Sequence, residues 1–496
     1  MHKRVASFLN KHNTIFSDQY GFRSEHCCEH ALLAAQKSIT DILDRKEIAL
    51  LLLIDFSKAF DMVDHNILLN KLNHYGIRGL AHKWFKSYLH GRSQYVSLNG
   101  KQSCTQSLKY GVPQGSILGP LLFIIYINDL PNIHNTLTFI LYADDANIII
   151  KGKTLHEIDI KFRILGDSLM HWVKSNGLSL NIRKTHYMIF SNKKLCDENL
   201  DLTINSIPID SQETARFLGV LVDNKLSWKK HIAALSKKLN QNVGILIKVK
   251  GIFPLHVLKT LYHSFIQSHL NYCSLVWGHG CKSSLNSIFV AQKKAVRVIA
   301  PGYVNFWYDK KTGKTPSHTK PFFSELALPT VYTLVLQNTL FFMQKIHTCK
   351  APQPILNMFS VSYECIPNTC YKYFNTHSPR LKCQRNSIFY EGPRLFNDTL
   401  TEFTQQNPTT NTETHQNNLK AVNPKPFKRI IKSYLIGIQG CGDIQEWEFS
   451  NFRLYKGSRS SSRNKQEYIS RTELYDSNKL KRNCLTDIHE TSDTDS

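Results

Sequence analysis

Negative charge is scarce in this chain. Across 496 residues, 38 Asp and Glu stand against 62 Lys and Arg, a formal net charge of +24. That imbalance argues against indifference to polyanions and implies attraction to nucleic acid or an acidic membrane surface. Long apolar runs are missing as well: none reaches the eighteen or so residues that a membrane-spanning helix needs. The opening MHKRVASFLNKHN lacks the apolar core of a secretory signal. The twelve Cys form no regular framework, which excludes a disulfide-stapled scaffold and fits free thiols in a reducing compartment. No internal repeat is evident, and KRN near the end is too short for a nuclear-import cluster. These absences point to an intracellular, polyanion-binding protein of the nucleus or cytoplasm, with no membrane partner and no clear targeting signal.

What is present is ordered unevenly. An apolar fraction of 42% with 27 Phe suits a folded body of two to four domains. Between Lys225 and Tyr308 there is no Asp or Glu, against eleven Lys and one Arg. That stretch carries apolar residues at helical spacing beside paired lysines, as in WKKHIAALSKKLNQNVGILIKVKG. Such a face suits a phosphate backbone read without regard to sequence, although a solvated surface that happens to lack acids has the same pattern.

Upstream, the pattern predicts alternating elements. EHCCEHALLAAQKSITDILDRK reads as a helix, and IALLLLIDF as a buried strand that ends at Asp55. DHNILLNKLNHYG and GLAHKWFKSYLHG read as helices, the first capped by Asp64. QYVSLNGKQSCTQSL alternates about Asn99-Gly100, a favoured hairpin turn. SILGPLLFIIYINDLP is apolar nearly all round and predicts a buried helix. TLTFILYADDANIIIKG predicts strand, turn and strand; TLHEIDIKFRILGDSLMHWVKSNG predicts an amphipathic helix closed by Gly177. Short strands follow around THYMIFSN, DLTINSIPID and ARFLGVLVD. The fold class is therefore α+β with a largely antiparallel sheet, followed by helices from Trp228 to about Lys350. A polar linker lies near 405–420, and a charged, Ser-rich tail over 437–496 has the composition of a disordered segment.

Within LYADDANIII, Asp144 and Asp145 interrupt a strand pattern. A turn explains them, since Asp tolerates turn geometry; so does a metal site. Asp55 ends another buried strand, and sheet rims bring such residues together. Carboxylates that close raise one another's pKa unless a cation intervenes, and Mg²⁺ takes carboxylate and phosphate oxygens. Successive side chains of extended backbone point apart, so the two aspartates cannot face one ion equally. Asp144 is the expected bridging ligand and Asp145 the supporting one.

Five stretches, LIDFSKAFDMVDH, YGVPQGSILGPLLFIIYINDLP, LYADDANI, NGLSLNIRKTHYMIF and RFLGVLVD, occur in the order of the sequence blocks of a reverse transcriptase. Their wording resembles non-LTR (LINE-type) retrotransposons of the jockey-like group. QYGFRSEHCCEHALL resembles an earlier block, LYHSFIQSHLNYCSLVWG the thumb that follows, and FNTHSPRLKCQRNSIFYEGPRLFNDTL with FKRIIKSYLI the end of the same reading frame. The resemblance implies a right-hand polymerase fold: partial fingers and palm over 1–222, a basic helical thumb over 223–350, and a C-terminal extension over 351–436. It implies an RNA-directed DNA polymerase that extends a DNA primer, or nicked target DNA, on an RNA template with deoxynucleoside triphosphates. Two Mg²⁺ ions (or Mn²⁺) would be held by Asp55, Asp144 and Asp145.

By the same resemblance, Phe60 is the aromatic gate under the incoming sugar, with a core Phe as its alternative. Gln114 and Gly115 pack against the nascent base pair, Lys184 assists the leaving pyrophosphate unless it is an ordinary surface lysine, and Phe217, Leu218 and Gly219 form the primer grip. Asp61 and Asp64 read as helix caps first. A fingers block like Arg-Pro-Ile-Ser and an upstream endonuclease domain have no counterpart here, which implies a truncated reading frame. A catalytically inactive nucleic-acid-binding remnant is the competing expectation; a viral RNA-copying enzyme has no use for Phe60 as a sugar gate. Cys365, Cys370, His377 and Cys383 loosely resemble a zinc knuckle, with looser spacing.

Overall fold

The computed structural model describes residues 1–193, 200–300, 319–366, 369–376 and 378–406. Its centre is the strand Ile48–Ile54, buried along its whole length. IALLLLI can be apolar on both faces because both are covered. Antiparallel neighbours flank it: Asp145–Gly152 on one side and His186–Phe190 on the other. Thr138–Tyr142 extends the sheet beyond Asp145–Gly152, and the short strand Asp210–Ser211 adds a parallel edge to His186–Phe190. The α+β pattern with a largely antiparallel sheet is borne out.

Alternation decides what each face of the centre strand touches. Ile48, Leu50, Leu52 and Ile54 enter one core with residues of the helices His65–His74, Leu118–Tyr126 and Leu155–Ser175. The helix Cys28–Asp44 packs against the centre strand and both strands of the Thr138–Gly152 hairpin. Leu118–Tyr126 is buried at Leu118, Gly119 and every residue from Leu121 onward, as its nearly continuous apolar sequence requires.

Local chemistry sets the ends of these elements. Asp64 accepts the N–H groups of Asn66 at 2.7 Å and Ile67 at 3.0 Å, a cap worth about 1 kcal/mol. Thr154 caps the next long helix through Glu157 N, and Gly177 closes it with φ +61. Asn99 and Gly100, at φ +51 and +79, make the hairpin turn between Ser97–Leu98 and Lys101–Gln102. Asp61 departs from the cap expectation. It ends the short 3-10 turn Ala59–Asp61 and its carboxylate accepts from Gln114 Nε2 at 2.8 Å.

Among the described residues from 229 to 347 the elements are helical, with Lys229–Val249, Leu255–Tyr262, Lys282–Ile299 and Val331–His347 the longest. The first buries Ile232, Leu235, Leu239, Val243 and Leu246 at spacings of three and four, and packs on Lys282–Ile299. Lys229, Lys230, Lys237, Lys238 and Lys248 are left exposed. After Lys350 a hairpin, Val361–Ile366 with Thr369–Phe374, precedes the helix Ile388–Gln406. That hairpin sets Cys365 opposite Cys370. Their side chains and His377 lie outside the described residues, as do the tail and the polar linker beyond Gln406. Cys383 is a half-buried free thiol.

Candidate active site

Ile54, the last residue of the centre strand, pairs with Ala146. That register ends one residue short of Asp55, whose charge acts on both Asp144 and Asp145. Tyr142 pairs with Asp145, so Ala143 and Asp144 form the two-residue turn. The sequence alone places both aspartates in the turn; the structure divides them, with Asp145 opening the returning strand. Ala143 holds φ +52, a left-handed conformation costly for a residue with a Cβ.

The electrostatics follow from this crowding. Burial raises the Asp144 carboxyl above its ordinary value; a backbone N–H bond opposes the rise and the Asp55 charge adds to it. Asp145 is exposed on one side, yet loss of hydration on the other pushes it up to about 6, with Asp144 and Asp55 adding to the shift. The side-chain charges that add to both shifts are carboxylates. Among the described residues none of the three aspartates is in an ion pair. A divalent cation would relieve this repulsion, so the donor set fits a hard metal by charge and type. No group of three His, Cys, Asp or Glu side chains among the described residues already stands in ligating geometry.

Asp55 is fixed through its backbone. Its carbonyl accepts Asn181 N at 2.8 Å, and its N–H donates to Thr185 Oγ1 at 3.4 Å. Asn181 O in turn accepts Lys184 N at 3.0 Å, so the NIRKT turn carries exposed Lys184 beside the Asp55 strand end. Phe60 is half-buried. Its ring stacks on Phe123 with centroids 4.4 Å apart and meets Phe22 edge-on at 6.3 Å. Gln114 and Gly115 lie exposed on a turn, Gly115 at φ +79. Gln114 reaches that region through Asp61, which joins two of the sequence blocks.

Phe217 pairs with Val220, and Leu218 and Gly219 form the hairpin tip at φ +44 and +80. Phe217 is buried; Leu218 and Gly219 present the turn outward. Two groups near these elements carry no signal in the sequence. Tyr272 Oη donates to Leu218 O at 2.8 Å. Glu29 accepts Leu275 N at 2.9 Å, joining the helix under the sheet to the helical region; burial pushes its carboxyl up to about 7. Only tertiary proximity could have found either, since their partners lie 54 and 246 residues away.

Residues 1–222 match the family model of reverse transcriptase (RNA-dependent DNA polymerase). A Drosophila melanogaster protein described as a probable RNA-directed DNA polymerase from transposon X-element is 27% identical over 306 residues, covering 60% of this chain and 33% of that protein. The RNA-directed DNA polymerase from the Drosophila melanogaster mobile element jockey is 28% identical over 299 residues, covering 58% and 32%. The chain spans about a third of the length of these curated relatives. Among solved structures, telomerase from Candida albicans in complex with a fragment of telomeric RNA aligns with a TM-score of 0.35 at 13% identity, covering 61% of this chain and 56% of that one. No helix among the described residues is long and apolar enough to cross a membrane.

Proposed function

We propose that this chain is an RNA-directed DNA polymerase that extends a DNA primer, or nicked target DNA, on an RNA template during retrotransposition. Residues 1–222 would be partial fingers and palm, 223–350 the thumb, and 351–436 an element-specific extension. The reaction is nucleotidyl transfer: the primer 3′-hydroxyl attacks the α-phosphate of a deoxynucleoside triphosphate, the new phosphodiester forms, and pyrophosphate leaves. Reverse transcriptases use divalent metal ions, and we assign two Mg²⁺ to Asp55, Asp144 and Asp145. Such ions, when bound, stabilise developing charge on the phosphate oxygens. The chain's own residues supply position. Asp55 follows the end of the centre strand, Asp145 opens the returning strand, Asp144 sits in the turn, and Phe60 offers a ring where a 2′-hydroxyl would clash. Gln114 and Gly115 would meet the nascent base pair, Lys184 the leaving pyrophosphate, and Phe217, Leu218 and Gly219 the primer end.

The observation that carries this reading is the clustering of Asp55 at the end of the centre strand with Asp144 and Asp145 at the hairpin turn, inside the stretch that matches the reverse transcriptase family model. Primer extension on an RNA template with Mg²⁺, comparing the parent chain with Asp144→Asn, tests it. Extension by the parent, and a loss of at least ~10³-fold in the variant, supports the polymerase. The exposed lysines of the Lys229–Val249 helix favour the second reading, a nucleic-acid-binding remnant. No extension by either chain, with salt-sensitive RNA binding by both, selects that reading.

A further inference from the structure

The run SDQYGFR touches both halves of the site. Gln19 is 1% exposed and forms a parallel bridge with Leu141. Around it Tyr20 N donates to Leu141 O at 2.7 Å and Leu141 N to Asp18 O at 3.0 Å, which binds the segment to the strand leading into the aspartate turn. The Gln19 side chain goes further. Its Oε1 accepts Gly21 N at 2.8 Å and Ala143 N at 3.1 Å. Ala143 is the left-handed residue immediately before Asp144, and its amide is held by this carboxamide. Contact is so close that a Cβ on Gly21 would stand 2.4 Å from Ala143 N, a backbone atom that cannot rotate away. Arg23 Nη1 folds the segment back by donating to the carbonyls of Phe16, Ser17 and Gln19, at 2.8, 3.3 and 3.3 Å.

Phe22 sits in the same segment and faces the other half. Its backbone has φ +53 and the residue is 56% exposed. An aromatic residue gains little from either circumstance, since left-handed backbone is strained and exposed rings bury little area. Its contact is the Phe60 ring, met edge-on at 6.3 Å and 89°, while Phe123 stacks on that ring. One short, rigidly bonded segment therefore reaches the turn of Asp144 through Gln19 and the gate through Phe22.

We propose that Gln19 and Phe22 are positioning residues of this site. Gln19 fixes the turn that carries Asp144, and Phe22 holds the Phe60 ring in place, which sharpens the choice of deoxyribo- over ribonucleoside triphosphates. The proposal rests on the polymerase reading for its second half. A segment that merely filled space would change stability and leave turnover, sugar choice and Ala143 exchange in step with it.

The test uses the full chain as parent, Gln19→Met, Phe22→Ala and Phe22→Tyr. Hydrogen exchange of the Ala143 amide, which needs no activity, is expected to quicken at least ~10-fold in Gln19→Met, because its acceptor is removed. In primer extension the same variant is expected to lose ~10–100-fold in kcat, with KM for the deoxynucleotide moving less than ~2-fold. Phe22→Ala is expected to lower the ratio of kcat/KM for deoxy- over ribonucleotides by ~5–10-fold, and Phe22→Tyr to keep it. Should Gln19→Met not fold, Gln19→Asn, one methylene shorter, withdraws the same acceptor. Unchanged Ala143 exchange overturns the role of Gln19, and an unchanged sugar ratio in Phe22→Ala overturns that of Phe22. A parent that extends no primer overturns the polymerase reading and the Phe22 assignment with it; the exchange result still decides Gln19.

Discussion

Tyr272 Oη donates to the carbonyl of Leu218 at 2.8 Å, and its ring stands 3.4 Å from where a Cβ on Gly219 would be. The tip of the Thr214–Asp223 hairpin is therefore gripped from the helical region that follows it. A Leu-Gly turn with both residues at positive φ has no polar side chain of its own to hold its backbone. Here a phenol from 54 residues away supplies the hold. If that hairpin meets the primer end, as we propose, the phenol sets where the primer sits.

Tyr272→Phe removes that hydrogen bond and leaves the ring. The net cost of one such bond is about 1 kcal/mol, which converts to roughly a five-fold change in an equilibrium. Primer affinity, measured by fluorescence anisotropy on a primer–template duplex, should fall by about that factor while KM for the nucleotide holds. Equal affinity in the two chains would separate the hydrogen bond from primer placement.

Asp145 titrates near 6 because burial, and then Asp144 and Asp55, disfavour its charged form. Its folded pKa lies above the ordinary 3.8, so the folded chain holds a proton that the unfolded chain releases. Ionisation between those values works against the metal-free fold. Asp145→Asn should then melt above the parent at pH 8 without metal, and level with it below pH ~3.8. Adding Mg²⁺ at pH 8 should narrow the gap by stabilising the parent. Thermal melts at both pH values, with and without Mg²⁺, read this directly; a parent that melts higher than the variant at pH 8 without metal would contradict it.

Glu29 gives a second pH dependence away from the aspartates. Burial lifts its carboxyl from 4.5 to about 7, opposed by the Leu275 N–H and by Lys345. The stability it contributes is complete below 4.5 and is lost as pH rises through the folded value near 7. Glu29→Gln keeps an acceptor for Leu275 and cannot ionise, so it should flatten that decline. Urea titrations at pH 5 and pH 8 compare the two chains, and parallel losses in both would assign the decline to another group.

Lys237 and Lys238 stand exposed on the helix whose opposite stripe, Ile232, Leu235 and Leu239, is buried. If this face follows a phosphate backbone, Lys237→Ala with Lys238→Ala should weaken RNA binding whatever its sequence. The slope of log affinity against log salt should drop by ~1–1.5, near 0.7 per phosphate contact on single strands. An unchanged slope would mean that the two lysines face only solvent.

Much of the fold was legible because the information is local. Apolar spacing marked the helices Cys28–Asp44, Leu155–Ser175 and Lys229–Val249, and Asp64 and Gly177 marked ends through hydrogen bonds and backbone preferences within a few residues. The continuous run at Ile48–Ile54 likewise announced a strand covered on both faces. Asp61 was misread as a cap because its partner, Gln114, is 53 residues away, and a cap and a distant acceptor look alike in sequence.

The sequence by itself determined the element types, the residues fit to hold a cation, and the charge that draws polyanions. Periodicity, capping and net charge are properties of neighbours along the chain. Tertiary structure alone decided that Asp145 opens the returning strand while Asp144 occupies the turn, because strand register is set by the packing of a whole sheet. It also decided that Gln19 holds Ala143, that Phe22 meets Phe60 and that Tyr272 holds Leu218. Each joins residues that no local preference relates, and each depends on which surfaces exclude water together.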